Sequence, residues 1–293
     1  FKMDIEKIAT YARNKYTLKE LEFEWEEVQS IRHCLDGTMY RDDRGMLATA
    51  LDTETQGTAW YDDNSIMISY SIAESLTKGL NVILYEETAP GKGDFDITVS
   101  RGGSKKEPEK VIIGVRKASN FDSKLAELKE LCERSDIKKY FANRKYDEHR
   151  IEKLGIKLTN APLDITLGAH VIDSELFLEP SLKQIVESFT EIRATSKDDI
   201  SILEKQDMLR FLQQHRSRYN KYSALDAVLT LNAALAVKER LAADPESLNY
   251  YIKCVHPVES DFLYALECNG AMINREAVPL VIKEIEEQMD KAL

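Results

Sequence analysis

The apolar run MLATAL (46–51) ends in Asp52, Thr53 and Glu54. At i and i+2 of an extended chain the two carboxylates share a side. Two like charges that close cost energy unless a cation lies between them. Other groups have chemistry that fits. Asp147 opens a predicted helix directly after the aromatic and basic stretch YFANRKY (140–146). Tyr222 and Asp226 stand four residues apart on a strongly helical stretch, one above the other. Four carboxylates around one point demand cations, and hard oxygen ligands select magnesium or manganese. Two such ions roughly 4 Å apart are the usual device for hydrolysing a phosphodiester, one preparing the water and the other stabilising the leaving oxygen. Taken singly each piece is weak. A D-x-E at a strand end is more often a terminus reaching solvent, and Tyr-x-x-x-Asp is more often an exposed helix pair. Their order and context give the set its weight.

The elements that must position these groups can be read from pattern. Residues 4–30 read as an amphipathic helix, with Glu and Lys between Ile, Leu and Tyr. Residues 46–52 read as a strand buried on both faces, SIMISYSI (65–72) as a second and NVILYEE (81–87) as a third, with a hairpin turn at 79–81. From 88 to 110 the chain is rich in Gly, Pro, Lys and Glu and carries the strand-like pieces FDITV and VIIGV, a surface excursion with a hairpin. A helix follows Asn120, capped by Asp122 or Ser123 and burying Leu125, Leu128, Leu131 and Cys132. Then come a short strand from 137, a helix over 147–154 ending at Gly155, and helices over 163–177, 181–190 and 221–243. The last has a broad apolar face of Leu225, Val228, Leu229, Leu231 and Leu235. After a break at AADPES (242–247), two helices flank an Asn-Gly turn. Strands first and helices after, with some alternation, define an α/β class with a mixed sheet.

Composition bounds the partners. The 293 residues suit one large or two smaller domains. A net charge of −11 argues against a protein that coats long duplex DNA, though not against one that grips a strand end. The basic stretches 101–106, 138–145 and 210–221 each read more readily as solvated faces. No apolar run approaches the roughly 20 residues of a membrane span. Cys34, Cys132, Cys254 and Cys268 form no close pair, and the five histidines form no H-x-x-x-H, so reduced thiols and no zinc site are expected.

The ordered set D-T-E, N-x-K-Y-D and Y-x-x-x-D resembles the DEDD superfamily of 3′–5′ exonucleases, in the subclass with tyrosine in its third motif. It is most similar to the proofreading domain of family A DNA polymerases, of a phage type. LDTET carries the first motif, NRKYDEHRIEKLGI with APLDITLGAHVID the second, and YSALDAVLTLNAAL the third. The likeness covers residues 46–241. VESDFLYALECNGAMINREAV (258–278) looks like the segment that opens the polymerase region, with Glu267, Asn269, Gly270, Ile273 and Asn274 in the pattern.

The resemblance implies a ribonuclease H-like mixed central sheet flanked by helices, with helical N- and C-terminal extensions. It divides the chain into an N-terminal helical extension (1–45), an exonuclease domain (46–241, with a surface insertion at about 88–118) and a truncated start of the polymerase thumb region (242–293). It implies two divalent ions, Mg2+ or Mn2+, bound by Asp52, Glu54, Asp147 and Asp226. Tyr222 would orient the attacking water. Its phenol, with an ordinary pKa of about 10, is a poor base at neutral pH. Asn143, with Lys145 and Tyr146 in the same motif, would lie near the frayed strand. Asp164 matches a family acidic position and reads equally as a helix cap. One departure stands out. The family often has a base-wedging leucine shortly after the first motif, where this chain has Thr58. Trp60 offers an alternative stacking surface, or an ordinary packed aromatic.

The implied substrate is the 3′ end of single-stranded or frayed DNA. The implied partner is a polymerase domain, in the same chain or a separate one, with no membrane. The setting would be a bacterial or phage-infected host cytoplasm. Two alternatives stay open. One is an exoribonuclease of the RNase D kind, and the other is a non-catalytic module docking a replisome partner.

Overall fold

A computed structural model describes residues 18–103, 108–174, 181–194, 201 and 207–292. Eleven strands occur among them: β1 (Lys19–Glu20), β2 (Glu24–Glu27), β3 (Leu47–Gln56), β4 (Ile66–Ser75), β5 (Lys78–Ile83), β6 (Tyr85–Thr88), β7 (Phe95–Gly103), β8 (Pro108–Lys117), β9 (Ile137–Phe141), β10 (Leu163–Asp164) and β11 (Ile192–Arg193). Six form the central sheet, in the order β10-β9-β3-β4-β5-β2. The β3–β4–β5 meander is antiparallel, whereas β9 runs parallel to β3 and β2 parallel to β5. The sheet is therefore mixed, as the pattern of elements implied.

Side-chain alternation on β3 divides the core. Leu47 and Leu51 face a cluster with Leu128 and Leu131 of helix α1 (Phe121–Glu133) and Ile151 of α2 (Arg144–Lys153). Ala48 and Ala50 face the other cluster, with Val228, Leu229 and Leu231 of the long helix α6 (Arg216–Ala243). Asp52 and Glu54 continue the alanine side, so they face α6, and Thr53 continues the other.

The helix α6 lies close on the sheet, and polar bonds stitch it there. Ser71 Oγ donates to the Ser223 carbonyl at 2.7 Å. Asn81 Nδ2 donates to Asn220 Oδ1 at 2.6 Å, and the Ser69 and Tyr219 hydroxyls lie 2.8 Å apart. A Cβ at Gly79 would stand 2.4 Å from the Ala224 carbonyl oxygen, a distance only glycine permits. Gly79 therefore serves helix packing. It lies inside β5, and the turn expected at 79–81 falls instead at Leu76–Thr77.

The N-terminal helix expected over 4–30 is corrected where residues are described. Leu21, Phe23 and Trp25 alternate with the exposed Glu22, Glu24 and Glu26. That period of two suits an edge strand, and β2 pairs with β5. Residues 1–17 lie outside the described residues. The excursion after β5 forms its own antiparallel sheet, β6-β8-β7. The α1 helix starts at Asn120 with no side-chain cap, so neither Asp122 nor Ser123 caps it. The helix expected over 163–177 is α3 (Ile165–Ile172), and α4 (Leu182–Phe189) follows with a Ser181–Gln184 capping box. The remaining helices are α5 (Met208–Gln214), α7 (Pro245–Tyr250), α8 (Tyr264–Asn269) and α9 (Ala277–Ala292). Among the described residues no helix is long and apolar enough to cross a membrane.

Candidate active site

The carboxylate cluster forms where β3 outruns its neighbour. Pairing with β9 ends at Ala50, while pairing with β4 continues and shifts register between Glu54 and Thr55. Such a bulge re-aims side chains at a strand end. Asp52, Glu54 and Asp226 come together there, with one carboxylate oxygen from each within 4.8 Å of the others. Ser223, one turn before Asp226, donates from Oγ to Glu54 Oε1 at 3.2 Å.

Asp147 approaches from the other side of the strand. Its Oδ1 accepts from the Thr53 backbone N–H at 3.0 Å and from the Thr53 hydroxyl at 2.6 Å. These bonds occupy an amide just beyond the end of the β3–β9 ladder. Three of the four carboxylates thus converge on one point. The fourth is fastened to the residue between two of them.

Burial dominates the electrostatics. Desolvation, then Glu54, Asp147 and Asp226, raise the Asp52 carboxyl well above its ordinary range. Asp147 is also raised, chiefly by burial and against the Thr53 hydrogen bonds. The Tyr222 hydroxyl is hydrogen-bonded to Asp226, and burial and then Asp226 push it further from ionisation. A phenol so placed cannot serve as a base near neutrality. Half-buried carboxylates that disfavour one another's ionisation are a donor set that a hard divalent cation fits.

Asp164 is a helix cap, and for two helices at once. Its Oδ1 accepts from Thr166 N at 2.8 Å at the start of α3. It also accepts from Asn143 N at 3.2 Å, and Oδ2 accepts from Arg144 N at 2.7 Å, at the start of α2. Asn143, at φ +67°, leads into α2 without capping it through its side chain. The carboxylate that aligns α2, and with it Asp147, is therefore Asp164.

The residues expected near a strand end are placed as follows. Asn143 and Thr58 are exposed. The Thr58 carbonyl accepts from Arg150 Nη2 at 2.7 Å. Trp60 stacks on His149, with centroids 4.2 Å apart and planes at 2°, and the other stacked partner of His149 is Tyr264. Trp60 is half-buried and has one ring face packed on His149. Lys145 pairs with Glu259 at 2.9 Å and Glu267 at 2.8 Å. The Tyr146 hydroxyl lies 2.5 Å from Thr55 Oγ1. Of the basic stretches, Arg101 pairs with Glu87 and Asp207, and Arg216 with Glu27 and Glu86.

Residues that pattern reading missed are Thr53, Ser223 and Arg150. The buried Arg150 guanidinium donates to Ser65 Oγ at 2.6 Å and to the Gly57 and Thr58 carbonyls. It holds the loop that follows Glu54. Gly57 opens that loop at φ +80°. Thr53 carried a signal in its place between the two acids, and Ser223 in its place beside Tyr222. Arg150 carried none.

No family model matches the sequence, and no curated protein matches it. Solved structures do. The chain is similar to Brucella melitensis NrnC at a TM-score of 0.53 and 13% identity, over 86% of this chain and 94% of that one. NrnC bound to pGG is similar at 0.52 and 12%, over 87% and 98%. The apo form of a nuclease matches at 0.52 and 14%, over 87% and 98%. The POL domain of Pol1 from M. smegmatis, in complex with DNA primer-template and dNTP, matches at 0.55 and 13%. That match spans 91% of this chain but 36% of the longer one. At these identities the likeness is one of fold, and the fold is ribonuclease H-like: a mixed central sheet flanked by helices.

Proposed function

We propose that this chain is a 3′–5′ exonuclease that hydrolyses phosphodiesters from the 3′ end of single-stranded or frayed DNA, proofreading for a polymerase. The observation that carries the reading is the meeting of Asp52 and Glu54 with Asp226 beneath Tyr222, on a fold shared with a nuclease. Asp52, Glu54, Asp226 and Asp147 would hold two divalent ions, Mg2+ or Mn2+. When bound, these ions supply activation of water and charge stabilisation at the leaving oxygen.

The protein's own residues do the rest. Asp52 and Glu54 are fixed in direction by the strand and its bulge. Ser223 orients Glu54. Thr53 holds Asp147 beside the cluster, and Asp164 aligns the helix that carries it. Tyr222, kept protonated by burial and by Asp226, orients the attacking water as a hydrogen-bonding group. Asn143 and Thr58 are the exposed groups of the set for contact with the terminal nucleotides. Lys145, Tyr146 and Trp60 shape the surface beside them through contacts within the protein.

The domain reading goes with this function: an exonuclease domain over 46–241 and the beginning of a polymerase region over 242–293. The match to one part of the longer Pol1 chain favours it. A second reading is an exoribonuclease of the RNase D kind. The likeness to nearly the whole length of NrnC, one structure of which is bound to pGG, supports a reading that does not depend on a polymerase region.

Labelled DNA and RNA strands of equal sequence decide between them. With Mg2+ or Mn2+ the protein should shorten DNA from its 3′ end, and a chelator should stop it. Asp52→Ala with Glu54→Ala should slow digestion by about 10³-fold, the rate equivalent of roughly 4 kcal/mol of lost charge stabilisation. Preference for the RNA strand would replace the proofreading reading with the second one. Unchanged digestion by the double variant would discard both.

A further inference from the structure

A second cluster of ligand-type side chains lies at the opposite end of the sheet. His33 and Cys34 begin the wide turn at 33–38, and Glu74 closes β4. Their ligand atoms all lie within 4.8 Å of one another. Cys34 Sγ is 3.4 Å from His33 Nε2, and the same Nε2 is 3.6 Å from Glu74 Oε1. Glu74 is five residues along β4 from Ser69, the register partner of Glu54. Asp52 pairs with Ser71, three residues from Glu74, so at about 3.4 Å per residue the nearer edge of the acidic cluster is roughly 10 Å away along the strand.

The geometry points to a zinc-type metal site of three protein ligands, His33, Cys34 and Glu74, with the fourth position open to water, and we propose it as independent of the exonuclease reading. Zinc bonds of about 2.3 Å to sulfur and 2.0–2.2 Å to nitrogen and oxygen give tetrahedral edges of about 3.6 Å for S···N and about 3.4 Å for N···O. The observed 3.4 Å and 3.6 Å match those edges. Cys34 has a hydrogen bond with Thr38 and Glu74 pairs with Lys78, but the His33 nitrogen between them is over-committed. Nε2 carries at most one proton or one lone pair, so it cannot serve both the sulfur and the carboxylate. One shared cation serves all three.

The donor set of thiolate, imidazole and carboxylate selects zinc over magnesium or manganese, unlike the all-oxygen set at Asp52. Glu74 keeps its second oxygen 2.8 Å from Lys78 Nζ, the kind of outer partner that orients a ligating carboxylate. Cys34 is fully buried, while the His33 side chain is 45% exposed, which leaves a fourth position toward solvent. The consequence would be mechanical. The cation would tie the 31–38 turn to the end of β4, where Tyr40 N already donates to the Glu74 carbonyl at 2.8 Å. The sequence pattern spoke against zinc because the ligands are not regularly spaced. His33 and Cys34 are adjacent, and Glu74 arrives from a strand forty residues on.

Cobalt substitution tests the site. The reference protein carries Cys254→Ser and Cys268→Ser, which removes the two exposed thiols. Titrating it with Co2+ should give a thiolate-to-cobalt charge-transfer band that saturates at one equivalent. Zn2+ should abolish that band, whereas excess Mg2+ should not. The band should be lost in both His33→Ala and Cys34→Ser. With saturating Mg2+ present to occupy the acidic cluster, Zn2+ should raise the melting temperature of the reference by clearly more than that of His33→Ala. Because Cys34 is buried and its serine variant can misfold, Glu74→Gln provides a further arm, expected to weaken Co2+ binding at least tenfold. No band in the reference, a band surviving in His33→Ala or Cys34→Ser, or an equal zinc shift in His33→Ala would reduce the cluster to an ordinary His–Glu ion pair beside a thiol.

Discussion

Two helices bring carboxylates to the end of β3, and they are held in different ways. The long helix α6 delivers Asp226 from inside the core. Its lower face is pressed on the sheet by apolar packing, and Tyr219, Asn220 and Ser223 bond to strand residues beneath. The short helix α2 delivers Asp147 from the opposite face. The Asp164 carboxylate anchors its start, and polar contacts from Lys145 and His149 reach Glu259 and Glu267. Position is therefore built mainly into packing on one side of the site, and into polar contacts added to the Ile151 core contact on the other. Dense packing leaves few alternative arrangements. A helix held by a few charged contacts can move when they change.

Four variants test that contrast, from the largest expected effect to the smallest. Asp164→Ala leaves amides at the start of both α2 and α3 without their acceptor. Stability should fall by about 3 kcal/mol, the upper range for a lost buried acceptor, measured by urea unfolding. Nuclease activity per folded molecule should fall as well, because Asp147 loses its alignment. An activity per folded molecule equal to wild type would show that α2 needs no such anchor.

Gly79→Ala attacks the other helix. Its Cβ would meet the Ala224 carbonyl at 2.4 Å, so α6 must shift. Overpacking of this kind costs about 1–3 kcal/mol. A melting temperature within error of wild type would mean that the sheet and α6 are not locked together as described.

Thr53→Val removes one of the two hydrogen bonds to Asp147 and keeps the backbone one. A loss of about 1 kcal/mol in stability is expected. The concentration of Mg2+ needed for half-maximal activity should rise, and an unchanged metal requirement would separate Thr53 from the site.

Glu259→Gln with Glu267→Gln should have the smallest effect on stability. These pairs are partly exposed, and such pairs contribute about 1 kcal/mol or less. With Lys145 released, single-strand affinity should rise and show a steeper salt dependence. Unchanged affinity and salt slope would show that the Lys145 cation does not face the nucleic acid.

The strand that carries Asp52 and Glu54 was legible because its apolar run is a local signal, but its end was not: read over 46–52, it continues to Gln56 because β4 pairs with it that far. The helix α6 was legible too, because its apolar face is long and regular. The β2 strand was misread because Glu and Lys, good helix formers, fill a segment whose period is two. That period mattered only because β5 offered an edge to pair with. The turn assigned to 79–81 failed for a related reason. Glycine can mark a turn or a close approach, and only the neighbouring Ala224 carbonyl distinguishes the two at Gly79. Trp60 could be named as an aromatic near the site, but not that its face would be taken by His149.

By itself the sequence determined the chemistry available: carboxylates at i and i+2 of a strand, another at a helix start, and a tyrosine and an aspartate one helical turn apart. These follow from local geometry, since backbone periodicity fixes which side chains share a face. Only the tertiary structure decided that Asp52, Glu54 and Asp226 meet while Asp147 is tied to Thr53. It alone also showed that Asp164 anchors two helices and that His33 and Cys34 find Glu74. Those relations join residues far apart in the chain, and the packing of α6 and α2 against opposite faces of one sheet sets them.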